Sequence, residues 1–149
     1  MHIYLDIDQV LRTNDNKLAA QAGQFLEVIT KHHVHWLTAD YGGSVELALR
    51  RLTPLLTHDE INVISIIEMT KWDLLRTEAI DFRKPFLWFT HSVDEFEMED
   101  LERHKCTQNL HIVNVSNDPE ALKPFFHQLP EPVQPDLTHS PYRYLKSQG

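Results

Sequence analysis

Apolar positions along this chain switch between two periods. Ile3-Tyr4-Leu5 opens it as a short continuous apolar run, the pattern of a strand buried on both faces. After a polar break at residues 12–16, Leu18, Ala22, Phe25, Leu26 and Ile29 recur at helical spacing, predicting a helix from about Lys17 to His32. Val34-His35-Trp36-Leu37-Thr38 is β-branched and aromatic and reads as a second strand. A turn over residues 39–43 leads to Ser44, a cap for a helix over Val45–Leu52, with Pro54 soon after. Ile61-Asn62-Val63-Ile64-Ser65-Ile66-Ile67 predicts a third strand, and Thr70 the cap of a helix from Lys71 or Trp72 to about Ile80. Pro85-Phe86-Leu87-Trp88-Phe89 predicts a fourth strand, with proline at its first position, where it is tolerated. Asp94 to His104 reads as an acidic helix and Leu110 to Val115 as a fifth strand. Pro119, after Asp118, stands at the first position of a helix running to about Gln128.

Strands alternating with helices predict an α/β fold, a parallel sheet covered on both faces with right-handed crossovers. The pattern ends near Gln128, giving a domain over residues 1–128. From Leu129 on, Pro130, Pro132, Pro135 and Pro141 punctuate a proline-rich tail, residues 129–149, which has no clear period.

Composition narrows the function classes. A formal net charge of -8 argues against a general nucleic-acid binder, which carries a basic face. No apolar stretch is long enough to span a bilayer, and no secretory leader is visible, so no membrane partner is expected. The one cysteine, Cys106, excludes an intramolecular disulfide framework, fits a cytoplasmic location and, lacking an activating neighbour, reads as structural. Among ten histidines, His32, His33 and His35 look like a metal cluster. His33 and His35 would share a strand face, however, while His32 closes a helix, and no Cys/His set with zinc spacing completes them; zinc is not expected.

The candidate chemistry lies where the first strand ends. Asp6 and Asp8 are two residues apart, so they point the same way in an extended chain. Two like charges inside a buried strand are costly, which puts them at its carboxyl end, the edge where open α/β sheets bind ligands. Thr38 ends the second strand, Lys71 starts a predicted helix, and Thr90, His91 and Asp94 follow the fourth strand, so a parallel sheet brings all of them to one edge. Each also has a plain reading: Thr38 as a strand-end residue or cap, Lys71 as a solvated lysine, Asp94 as a helix N-terminal charge.

Asp6-Ile7-Asp8-Gln9-Val10 after a hydrophobic strand resembles the first motif of the haloacid dehalogenase (HAD) superfamily. Trp36-Leu37-Thr38 resembles the second motif, Lys71 the third, and Pro85-Phe86-Leu87-Trp88-Phe89 the strand leading to the fourth. The resemblance covers residues 1–128 and implies a three-layer α/β/α sandwich around a central parallel sheet of about five strands. It implies a Mg²⁺-dependent phosphatase working through an aspartyl-phosphate. Asp6 would be the nucleophile and Asp8 the general acid/base; Thr38 would bind a phosphoryl oxygen and Lys71 neutralise charge. Mg²⁺ would be held by Asp6, the Asp8 carbonyl and Asp94. Spacing between the motifs leaves no room for a cap domain. The implied site is open, suited to a large phosphorylated substrate or a protein partner. The chain departs from the family at the fourth motif, where Thr90 stands in place of the first acid. That departure supports a second reading, a catalytically weakened HAD-like domain serving as a phospho-ligand or protein-binding module.

Overall fold

Alternate side chains of a strand leave in opposite directions, and here each direction meets a different core. The structure, a computed structural model, describes residues 1–39 and 45–138. Its regular elements in chain order are β1 (His2–Leu5), α1 (Ala22–Ile29), β2 (His33–Trp36), α2 (Val45–Leu52), α3 (His58–Ile64), β3 (Phe86–Thr90), α4 (Glu95–Arg103) and β4 (Leu110–Ile112), with 3-10 turns between them. The strands form one parallel sheet in the order β2-β1-β3-β4. Leu5 lies opposite both Trp36 and Phe89, so β1 is flanked on both sides up to its last residue. Outside β2, Glu68 makes a single parallel bridge to His35; the Trp36 N–H donates to the Glu68 carbonyl at 2.8 Å.

Ile3, Leu5, Val34, Trp36, Leu87 and Phe89 pack with Phe25, Leu26 and Ile29 of α1, Ala48 and Leu52 of α2 and Ile64 of α3. The alternate positions Tyr4, Phe86 and Trp88 pack with Leu101 of α4, Ile80, Phe82 and Cys106. Burial pushes the Cys106 thiol up to about 12, which keeps it protonated and inert near neutral pH. Leu129 packs on the first core, and residues 133–137 lie along the second. Val133 and Leu137 touch it, Val133 exchanges two hydrogen bonds with the Asn109 side chain at 2.8 and 2.9 Å, and the Asp136 N–H donates to the His104 carbonyl at 2.6 Å. No helix among the described residues is long and apolar enough to cross a membrane.

The α/β class agrees with the sequence expectation, and four of the five expected strands are present. The third is not: residues expected as strand over Ile61–Ile67 mostly belong to α3. Thr57 and Glu60 explain this. The Thr57 hydroxyl accepts the Glu60 N–H at 3.2 Å and the Glu60 carboxylate accepts the Thr57 N–H at 2.8 Å. That reciprocal capping box fixes a helix start, and only the Glu68 bridge remains at the sheet edge.

The helix expected from Lys71 to Ile80 is likewise absent. Thr70 does not cap it; its hydroxyl donates to the Trp36 carbonyl at 2.6 Å. The Glu78 carboxylate gathers the N–H groups of Asp73, Leu74 and Leu75 into a turn, leaving a 3-10 segment over Arg76–Ala79. The helix expected from Pro119 to Gln128 is reduced to turns and a 3-10 segment over Lys123–Phe125, where Pro124 limits the hydrogen bonding. Ser44 and most of the turn over residues 39–43 lie outside the described residues, as do Pro141 and the rest of residues 139–149.

Candidate functional site

The carboxyl ends of β1, β2 and β3 place the candidate residues. The Asp6 N–H donates to the Phe89 carbonyl at 3.0 Å and the Leu37 N–H to the Leu5 carbonyl at 2.8 Å, so residues 6, 37 and 90 follow their strands side by side. Just past Asp8 the chain reverses. Gln9 takes φ 68, its N–H donates to the Arg12 carbonyl at 2.8 Å, and its own carbonyl accepts the Val115 N–H at 2.7 Å. The Gln9 side chain is held by Ser116 and Asn14. This turn presents Asp6 and Asp8 at the edge where the sheet branches to β2 on one side and β3 on the other, the switch point at which open sheets bind ligands.

Asp6 is fully buried, and its carboxylate is already engaged. Its Oδ1 accepts the Ile7 N–H at 2.8 Å and its Oδ2 accepts the Thr90 hydroxyl at 3.0 Å. His91 Nδ1 lies 3.3 Å from the same Oδ2, and Arg76 Nη1 lies 3.6 Å from it.

Arg76 is the residue that sequence reasoning missed. It is 4% exposed and donates to both Glu97 oxygens at 2.9 Å, to Thr90 Oγ1 at 2.8 Å and to the Ser92 carbonyl at 2.7 Å. Its guanidinium lies 4.9 Å from the Trp88 ring centroid. The expected cation, Lys71, stays at the same edge through its neighbour Thr70, but its side chain is exposed and has no ion pair among the described residues. An interior arginine paired with an acid on a distant helix leaves no local sequence signal. Its partner Glu97 gives no signal either, because it stands at the third position after the Asp94 cap, where a glutamate is expected of a capping box, and its burial is seen only in the structure.

The other expected residues also fall at this edge, in altered roles. The Asp8 carboxylate is tied to Arg12 at 2.8 Å, with both side chains largely buried. Thr38 is buried, and its hydroxyl has no hydrogen-bond partner among the described residues. Asp94 is exposed and caps α4: its carboxylate accepts the Glu97 N–H at 2.7 Å.

This residue set does not fit a Mg²⁺ ion. Mg²⁺ requires oxygen ligands in near-octahedral array. Here Asp6 Oδ2 faces a guanidinium and a hydroxyl, Thr90 adds no charge, and Asp94 is spent on a helix cap. A cation at Asp6 would meet the fixed positive charge of Arg76 in a site with little water to screen it.

The cap assignment is testable. Asp94→Ala should lower stability by about 0.5–2 kcal/mol, whereas Asp94→Asn, which keeps a capping oxygen and loses the charge, should cost only a few tenths. Urea denaturation with and without Mg²⁺ separates the roles: a metal ligand would make both variants lose a Mg²⁺-dependent gain that the parent shows.

Comparison with protein-family models, with curated proteins and with solved structures finds no match.

Proposed function

We propose that this chain is a HAD-like domain in which a buried arginine has taken the place of the metal centre, and that it acts as a protein-binding module rather than a phosphatase. The observation that carries this reading is the Arg76 guanidinium, 2.8 Å from Thr90 Oγ1 and 3.6 Å from Asp6 Oδ2. A carboxylate attacks a phosphate dianion only when a cation, a metal ion or a free arginine or lysine, offsets the repulsion between them, and here Arg76 is already engaged by Glu97, Thr90 and the Ser92 carbonyl. Arg76 and Arg12, the arginines that face Asp6 and Asp8, are already paired with acids, which leaves neither to hold a phosphate and makes a protein partner the better occupant. Four of the large exposed apolar side chains, Met69, Leu74, Phe96 and Ile112, belong to segments that leave this same edge, as an interaction surface requires.

The finer architecture of the reading is a three-layer α/β/α sandwich. Its support is the pair of cores built from alternate strand positions. The Glu68 bridge supports a fifth position beside β2, which gives the 3-2-1-4-5 order of doubly wound sheets.

The deciding experiment pairs Mg²⁺ calorimetry with hydrolysis of a generic aryl phosphate. The expected result is no saturable Mg²⁺ binding and no turnover above that of Asp6→Asn. Mg²⁺-dependent turnover abolished in Asp6→Asn would overturn the proposal and restore the phosphatase reading.

A further inference from the structure

The amino end of β1 carries a second cluster, at the opposite end of the strand from Asp6. His2 pairs in register with His33, and His35 lies two residues beyond His33 on the same face of β2. In-register parallel neighbours lie about 4.8 Å apart, and i,i+2 positions on a strand about 6.6 Å apart, so three imidazoles are brought together by backbone geometry alone. One ligand nitrogen from each of His2, His33 and His35 lies within 4.8 Å of the others. His2 Nδ1 and His35 Nε2 are 2.8 Å apart. Glu68, brought alongside by its bridge to His35, places Oε1 2.9 Å from His33 Nε2 and Oε2 3.6 Å from His35 Nδ1.

From this arrangement we propose that His2, His33 and His35 form a binding site for a divalent transition-metal ion, Zn²⁺ by ligand preference, with Glu68 as the carboxylate that orients two of the ligands. Metal-bound histidines characteristically donate their other ring N–H to a carboxylate. Glu68 meets His33 Nε2 and His35 Nδ1, which leaves His33 Nδ1 and His35 Nε2 for the ion beside His2 Nδ1. Nitrogen ligands select zinc and its transition-metal neighbours over Mg²⁺ or Ca²⁺. Two nitrogens on a tetrahedral zinc stand about 3.3 Å apart at bond lengths near 2.05 Å, so the His2–His35 pair at 2.8 Å needs to open by about half an ångström, and the wider separations, all within 4.8 Å, need to close by no more than about 1.5 Å. Three protein ligands leave the fourth position to water or an outside group, an open site in contrast to a closed structural one.

His32, adjacent in sequence, takes no part: its Nδ1 lies 3.5 Å from the amino group of Met1. Sequence reading grouped His32 with His33 and His35 and set zinc aside; the register that brings in His2 changes both the membership and the conclusion.

The test is zinc titration calorimetry on protein free of any affinity tag, with Co²⁺ absorption as a second readout. One equivalent of Zn²⁺ should bind, and Co²⁺ should develop the strong visible bands of a tetrahedral site. His35→Gln and His2→Gln should each weaken binding by at least about 100-fold and remove the bands, and Glu68→Gln should weaken it by about 10- to 100-fold. His33→Gln guards against a folding artefact, because that side chain is half exposed and its loss leaves both cores untouched. His32→Gln should bind as the parent does. Unchanged affinity in the His2, His33 and His35 variants, or an equal loss in His32→Gln, would overturn the site.

Discussion

Arg76→Ala is expected to lower the folding free energy by about 3–5 kcal/mol, the range seen when one partner of a buried ion pair is removed. The reason is what the truncation leaves behind. Glu97 is 3% exposed and holds the guanidinium through both oxygens at 2.9 Å; Asp6 has no exposure and has Arg76 3.6 Å away. Without the guanidinium, two carboxylates remain buried beside a sheet edge, and Thr90 and the Ser92 carbonyl each lose a donor. The Arg76–Trp88 contact is lost too, which adds about 1–2 kcal/mol at a desolvated site. Replacing both partners, Arg76→Met with Glu97→Met, should recover the part of the loss that comes from stranding Glu97, because buried pairs exchanged together for apolar residues are often neutral, while the part due to Asp6 remains. Lys71→Ala, at the position first expected to carry the site cation, should change stability by no more than about 0.5 kcal/mol. Urea denaturation of the four proteins gives the comparison. A cost below about 1 kcal/mol for Arg76→Ala would mean that the guanidinium does not hold the site together.

The contrast between Arg76 and Lys71 shows where the sequence was readable. β1 and β3 are continuous apolar runs because both faces of a parallel sheet are covered, and such runs announce themselves. The Asp6-Ile7-Asp8 step announces a strand end for the same electrostatic reason. α3 is not legible in the run itself, because Ile61, Val63 and Ile64 satisfy a strand run and a helix face equally, and Thr57, the cap of the deciding Thr57–Glu60 box, lies outside that run. The Arg76–Glu97 pair and the His2–His33 register join residues far apart in the chain. Neither has a local pattern, and both become visible only once the strand order is known.

Thr90→Asp is expected to destabilise the domain by about 2–4 kcal/mol, and added Mg²⁺ is expected not to restore it. The family pattern alone suggests the opposite, since an acid after the fourth motif's strand completes a metal shell. In this chain position 90 is fully buried; its hydroxyl donates to Asp6 Oδ2 at 3.0 Å and accepts from Arg76 Nη1 at 2.8 Å. An aspartate there removes the only donor in that bridge and sets a second carboxylate against Asp6. The nearest cation is Arg76, already committed to Glu97, so three acids would share one guanidinium in a poorly screened site. The ordinary escape is proton uptake: one acid of the trio should titrate well above the normal carboxylate range. Stability of the variant should then improve relative to the parent as pH falls through that raised value toward the ordinary carboxylate range, because in that window the folded state holds a proton that the unfolded chain has released. Thr90→Val, which deletes the hydroxyl without adding charge, should cost about 1–3 kcal/mol with no such pH dependence. Thermal melts of the three proteins across pH, with and without Mg²⁺, read all of this. A Mg²⁺-dependent recovery of Thr90→Asp would mean that Arg76 yields its place to a metal, and that the site is a phosphatase centre lacking one ligand.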